Sequence, residues 1–134
     1  MTSFTEEIRN RQFVSGEPLI SEALIVAQKV FFNYGMAGIP ASYADFLKQY
    51  NGIKSGGAYL FGATVDDDLD IIDKNLQMSK PENTLLLGYN DFDLLVFDYT
   101  TKSYQIVDRL DFAVLENYTE DEIDFALRQI FNVG

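Results

Sequence analysis

The chain has 134 residues, a length typical of one folded domain, and nearly half of them are hydrophobic, which excludes an intrinsically disordered protein. It contains no Cys and no His, which excludes disulfides, zinc ribbons and catalytic sites that depend on a thiol or an imidazole. The net charge of −11 makes direct binding of nucleic acid or of an anionic membrane unfavourable, because both are negatively charged.

The N-terminal part of the chain is predicted to be helical. Ser3 and Glu6 form a capping-box pattern for a first helix that extends to about Phe13. A second helix is expected over 19–34, where apolar residues recur at helical spacing and Gly35 provides a stop. No signal peptide is expected, and no apolar stretch is long enough to span a bilayer. These features predict a soluble, cytoplasmic protein.

A short helix is expected over 43–50, after a connector that ends in Ile39-Pro40. Ser42 and Asp45, three residues apart, form another capping pattern. The apolar face of this helix consists of Tyr43, Phe46, Leu47 and Tyr50. Asn51-Gly52 then suits the left-handed backbone conformation that ends a helix.

The second half of the chain predicts antiparallel strands. A short strand is expected over 58–62, after a glycine-rich turn. Three consecutive strands follow at 85–89, 93–99 and 104–107, joined by connections of hairpin length. The strand over 93–99 is apolar on both faces, which predicts a central position covered on both sides.

Two more helices complete the predicted elements. One is expected over 69–78, and the last over 120–131, where Thr119 and Glu122 form a capping box. Helices, then antiparallel strands, then a helix indicate an α+β fold. We therefore predict a single domain over 1–134, built as an antiparallel meander with helices packed against it.

Carboxylates are the remaining candidates for chemistry. Those of Asp66, Asp67, Asp68 and Asp70 are spaced somewhat like calcium ligands of an EF-hand loop. Such a loop needs Gly at its sixth position and Glu at its twelfth, and Ile71 and Gln77 occupy these positions. The pattern therefore fails, and the acids suit the first turn of a helix or an exposed contact surface. We predict no metal, no cofactor and no catalytic residue.

The negative charge is concentrated in one half of the chain. Residues 1–62 contain five acidic and five basic residues, whereas residues 63–134 contain sixteen acidic and five basic ones. The carboxylates predicted to form a face that captures a basic protein are Asp66, Asp67, Asp68, Asp70, Asp91 and Asp93. Tyr89 and Phe92 are the predicted buried anchors of that face, because peripheral charges contribute little affinity. The alternative is that the acidity only keeps the protein soluble.

The stretch from Ile39 to Gly52 resembles the hallmark segment of the SUKH superfamily. That segment reads Leu/Ile-Pro, an aromatic residue, two residues, Phe-Leu, variable residues and Asn-Gly. The residues of this chain that match this segment are Pro40, Tyr43, Phe46, Leu47, Tyr50, Asn51 and Gly52. The sequence Tyr59-Leu60-Phe61-Gly62 is similar to the strand that usually comes next, and the likeness is looser over the rest of residues 17–132. Unlike many members, the chain has no Trp.

The superfamily includes fungal cell-wall synthesis regulators of the Smi/Knr type and bacterial immunity proteins that neutralise polymorphic toxins. The resemblance implies an α+β domain with a non-catalytic, protein-binding role, and it implies that the motif residues shape the fold. Toxins of this kind are often basic nucleases, which agrees with the acidic half of the chain. The favoured hypothesis is an immunity protein that binds a basic toxin domain. The alternative is an intracellular regulator or scaffold of the cell-wall type, and a hydrolase that uses an acidic pair ranks third.

Overall fold

The structure of the protein is a computed structural model that describes residues 14–15, 21–35, 38–55, 57–63 and 69–131, the first two by their backbone alone. The strands in these residues are β1 (Val14–Ser15), β2 (Ile53–Ser55), β3 (Ala58–Leu60), β4 (Thr84–Tyr89), β5 (Asp93–Asp98), β6 (Ser103–Asp108) and β7 (Val114–Thr119). The α-helices are α1 (Ser21–Asn33), α2 (Ala41–Leu47), α3 (Ile71–Gln77) and α4 (Ile123–Ile130), with a 3-10 turn over Glu120–Glu122 before α4.

The strands form one antiparallel sheet in which the spatial order is the chain order, from β1 to β7. This arrangement confirms the predicted α+β fold and the predicted meander, since β4, β5 and β6 are the three strands expected from the sequence. The sheet extends beyond the prediction on both sides, because β1, β2 and β7 were not expected. β7 follows a turn after β6 and forms one edge of the sheet.

The core surrounds β5, as predicted. The residues of β5 from Leu94 to Phe97 are buried, although successive side chains of a strand point to opposite faces of the sheet. Both faces of β5 are therefore covered. Helix α4 packs against β5, β6 and β7, and α3 packs against β4.

The described helices overlap the predicted ones: α1, α3 and α4 are shorter at both ends, whereas α2 begins two residues and ends three residues before its predicted bounds. The capping box is confirmed, because the Thr119 N–H donates to Glu122 Oε1 at 2.9 Å. The Ser42 cap is wrong: α2 begins at Ala41, so Ser42 lies inside the helix, and its hydroxyl lies 2.5 Å from the hydroxyl of Tyr104 on β6. The first predicted helix, up to Phe13, lies outside the described residues. No helix in the described part of the chain combines the length and hydrophobicity that crossing a lipid bilayer requires.

The motif around α2 ties this helix to the sheet through polar contacts. The buried Tyr43 hydroxyl donates to the carbonyl oxygen of Phe61, next to β3, and lies 3.4 Å from that of Leu87 in β4. Burial and the neighbouring Tyr104 raise the pKa of Tyr43 well above its ordinary value. The hydroxyl therefore stays protonated and remains a donor. Pro40, Phe46 and Leu47 are also buried.

Asn51 fastens the end of this motif to the chain after β3. Its side chain donates from Nδ2 to the Ala63 carbonyl oxygen at 2.6 Å and accepts from the Ala63 N–H at 2.8 Å. Gly62 is required there, because a Cβ atom on it would lie 2.4 Å from Asn51 Oδ1 and 2.5 Å from the Asn51 carbonyl oxygen. Gly52 has a φ of +99°, a backbone conformation that other residues rarely adopt. Tyr50 is half-buried beside Phe46, with ring centroids 6.1 Å apart.

A second buried Asn compensates for an irregularity in β4. The register between β4 and β5 shifts between Leu86 and Gly88. Asn75 of α3 donates to the Leu86 carbonyl oxygen at 2.8 Å and accepts from the Leu86 N–H at 2.7 Å. The helix thus supplies hydrogen bonds at the point where the strand is irregular.

Candidate protein-binding surface

Three turns lie at the same end of the antiparallel sheet: those between β2 and β3, between β4 and β5, and between β6 and β7. A Cβ atom on Gly57 of the first turn would lie 3.6 Å from Asp91 Oδ1 of the second. Residues of the second and third turns line a cavity of about 380 Å³. We call this region the hairpin-tip surface, and it consists of Asp91, Phe92, Asp108, Arg109 and Leu110.

Two large apolar side chains project from the hairpin-tip surface. Phe92 is 77% exposed and Leu110 is 94% exposed. Each sits on a short turn between strands, where the side chain has few neighbours to pack against. Exposed apolar groups beside a cavity with a polar rim are typical of protein-binding surfaces. Phe92, the predicted anchor, is therefore accessible to a partner, and Leu110 is a second exposed apolar residue beside it that the sequence did not reveal.

Asn90 shapes the turn that carries Phe92. Its Oδ1 accepts from the N–H groups of Phe92 at 3.0 Å and Asp93 at 2.8 Å, which is an Asx turn. Its Nδ2 donates to the Ile130 carbonyl oxygen at the end of α4, 3.0 Å away. The Asn90 side chain is buried, so the turn is anchored to the body of the domain.

Arg109 joins the two turns. Its guanidinium donates to the Asn90 carbonyl oxygen at 2.8 Å, and its backbone N–H donates to the Phe92 carbonyl oxygen at 3.0 Å. Within its own turn, Asp108 Oδ1 accepts from the N–H of Leu110 at 2.8 Å. The backbone of the two turns that carry these apolar side chains is thus held by a hydrogen-bonded frame, which lowers the entropy that binding would cost.

Tyr89 supports this frame and is only half exposed. Its ring stacks on Tyr59 with centroids 4.9 Å apart, and the Arg109 guanidinium carbon lies 5.0 Å from the Tyr89 ring centroid. Lys54 in turn lies 5.6 Å from the Tyr59 ring centroid. This row of cations and rings crosses β2, β3 and β4 and ends at Arg109. Tyr89, predicted as an anchor, is therefore already engaged with neighbours of its own chain.

The hairpin-tip surface and the residues beside it, Asp93 and Asp111, carry a net negative charge. Asp91 and Asp111 are exposed, and Asp93 and Asp108 are half-buried residues directly opposite each other in the register of β5 and β6. Burial, and then the charge of Asp108, raise the pKa of Asp93 above its ordinary value. Arg109 is the cation within this group of residues. A partner with Lys or Arg side chains would relieve the repulsion between the paired carboxylates.

The remaining predicted carboxylates do not join this group. Asp66, Asp67 and Asp68 lie outside the described residues. Asp70 is the N-cap of α3, where its side chain accepts from the Ile72 N–H at 3.0 Å. Asp70 also forms a β-bridge with Gly62. The residue before Gly62, Phe61, donates its N–H to the Leu87 carbonyl oxygen of β4. Since Asp91 comes four residues after Leu87, Asp70 lies roughly 13 Å or more along the sheet from the hairpin tips.

Leu110 and Arg109 escaped prediction because β7 was not recognised. Without β7, the residues after β6 read as an open connection rather than as a turn. The sequence does contain a signal for this turn. In Asp108-Arg109-Leu110-Asp111, two Asp residues of the type common in turns enclose Arg109 and Leu110. Within the described residues, no group of three or more acidic side chains is placed to hold a metal ion.

Comparison with known proteins does not identify the family of this chain, so the family stays a prediction. No protein-family model matches the chain, and no curated protein matches its sequence. The SUKH resemblance therefore depends on the motif residues themselves and on the contacts that these residues make.

Proposed function

We propose that this protein is a non-catalytic protein-binding domain, and that it acts as a bacterial immunity protein that binds and neutralises a basic toxin domain. The observation that carries the proposal is the hairpin-tip surface, where the exposed Phe92 and Leu110 stand beside a cavity lined by carboxylates. Apolar anchors supply affinity, and the surrounding acids select a basic partner and accelerate its association.

The motif supports the family part of the proposal. Asn51, Gly52 and Gly62 hold α2 against β3 through contacts that demand these residue types. Such residues shape a scaffold and leave the hairpin tips free to determine the partner. The immunity role itself comes from the SUKH resemblance and from the acidic second half of the chain.

The test begins with the neighbouring reading frame in the source genome. We expect that its product, expressed alone, inhibits growth, and that co-expression of this protein restores growth. Because a central anchor is worth about 2 kcal/mol, Phe92→Ala or Leu110→Ala should each weaken binding of the purified product about 30-fold. Association should slow as salt is added, since the carboxylates act over a screening length of about 8 Å at physiological ionic strength.

The matched control is a pair of exposed apolar residues on α1 and α3. Val26 is 54% exposed and Leu76 is 52% exposed, so Val26→Ala and Leu76→Ala shorten apolar side chains on other elements. These variants should bind and protect like the unaltered protein. Binding without protection would favour the regulatory alternative. Equal losses in the control and hairpin-tip variants would contradict the proposed surface.

A further inference from the structure

β7 is an edge strand, and within the described part of the chain its outer side has no neighbouring strand. An unpaired edge presents N–H and C=O groups that can hydrogen-bond to another extended chain. Val114 and Leu115 are 55% and 53% exposed, so apolar side chains accompany this edge. Proteins often protect such an edge with Lys or Pro, and neither residue occurs in β7.

The register of β7 identifies an N–H group that points outwards. Thr119 directs its N–H to the Glu122 carboxylate, although Ser103 of β6 is its neighbour in register. Hydrogen-bond direction alternates along an antiparallel strand, and the register shift of β7 lies before Glu116. Asn117 therefore also directs its N–H away from β6. Its side chain is engaged separately, since Oδ1 accepts from Ser103 Oγ at 2.9 Å.

The sequence around β7 determines the charge of a suitable occupant. Residues 110–127 contain no basic residue, and their acidic residues are Asp111, Glu116, Glu120, Asp121, Glu122 and Asp124. If two copies of β7 paired antiparallel about Glu116, this residue would face its own copy, and the acidic residues that flank the strand would add like charge at both ends. That repulsion disfavours a second copy as occupant and favours an extended segment rich in Lys or Arg.

The geometry points to β7 as a docking edge that takes up an extended basic segment of the partner as an added strand of the sheet. β7 begins directly after the turn that carries Leu110, so the added strand continues the hairpin-tip surface along the sheet edge. Main-chain hydrogen bonds supply binding, and the flanking acids supply selectivity. The inference rests on the proposed function, because the segment belongs to the same basic partner.

The test uses two short synthetic peptides as probes. In one, Lys alternates with Val or Thr, and in the other Glu replaces every Lys. Backbone amide NMR of the full chain should show shifts along 114–119 with the Lys peptide and none with the Glu peptide. The amide of Asn117 should exchange more slowly with solvent when the Lys peptide is bound. Shifts elsewhere without shifts in β7, or equal binding of both peptides, would overturn the inference.

Substitutions at Asn117 separate the backbone from the side chain. Asn117→Ala removes the side-chain contacts and keeps the N–H, whereas Asn117→Pro removes both. The Pro variant should bind the Lys peptide about fivefold more weakly than the Ala variant, the effect of one lost hydrogen bond. Equal binding by the two variants would contradict the proposed edge. Glu116→Lys, at an exposed position, should weaken binding of the Lys peptide and allow binding of the Glu peptide.

Failure of this inference is distinguishable from failure of the proposed function. If the partner binds through Phe92 and Leu110 but neither the peptide nor the partner affects β7, the edge inference is wrong and the proposed function stands. If the neighbouring product is not bound by any form of the protein, the proposed function is wrong. Peptide binding at β7 would still demonstrate the docking edge in that case.

Discussion

Replacement of Asn51 by Ala should destabilise the domain, because two buried hydrogen bonds depend on this side chain. Asn51 is 7% exposed, and it donates to the Ala63 carbonyl oxygen at 2.6 Å and accepts from the Ala63 N–H at 2.8 Å. Ala63 is fully buried, so its main-chain groups could not recover these bonds from bulk water. The variant tests whether the Asn of the motif is a structural fastener.

The expected loss follows from the cost of removing a hydrogen bond from a buried polar group. Each such group costs about 1–3 kcal/mol. Since the two groups belong to one side chain, their effects overlap, and we expect the free energy of unfolding to fall by about 2–4 kcal/mol. For a domain of this size, that corresponds to a melting temperature lower by about 8–15 °C.

Thermal unfolding followed by circular dichroism, together with urea unfolding, measures this loss. Asn33→Ala is the matched control, because Asn33 is exposed at the end of α1 and its replacement should change stability by less than about 0.5 kcal/mol. Asn51→Asp should also be destabilising, since it places a carboxylate against the Ala63 carbonyl oxygen. A melting temperature of Asn51→Ala within about 2 °C of the unaltered protein would refute the reasoning.

Three further predictions concern packing, pH and metal. Phe46→Ala should lower the free energy of unfolding by about 2–5 kcal/mol in urea titrations, because the side chain is buried, whereas Lys48→Ala, which removes only an exposed ion pair, should change it by less than about 1 kcal/mol. The pKa of Asp93 is higher in the folded than in the unfolded protein, so the protein should lose stability as pH rises from the unfolded pKa to the folded one. Asp93→Asn should remove that loss. Urea unfolding at several acidic pH values measures it, and the same dependence of the unfolding free energy on pH in both proteins would contradict this prediction. Calorimetric titration with calcium should show no micromolar binding at Asp66 to Asp70.

The predictable part of the fold is the part whose burial leaves a pattern in the sequence. β4, β5 and β6 are apolar runs joined by short turns, and the last helix has a capping box and one apolar face. β7 leaves no such pattern, because almost all of its side chains are exposed and no alternation between core and solvent arises. β2 has only three residues, too few for a periodic signal.

The sequence predicted only those residues of the candidate surface that lie in one turn. Asp91 and Phe92 lie in a turn that residue types reveal by themselves. Leu110 lies beside them because two separate hairpins end at the same height in the sheet, a result of register. Asp70 was grouped with them by charge, and the path of β3 carries it away from the hairpin tips. Which residues lie together at the hairpin tips therefore depends on the register of the whole sheet.

The strands have the same order in the sheet as in the chain, and this affects how the protein folds. The three hairpins from β4 to β7 have short connections, so closing each of them costs little chain entropy. The pairing of Val14 with Lys54 closes a far longer loop. Because local contacts form fastest, we expect the meander of residues 84–119 to be the folding nucleus and β1 to join last. During synthesis on the ribosome, the N-terminal strand would then wait until the C-terminal half has emerged.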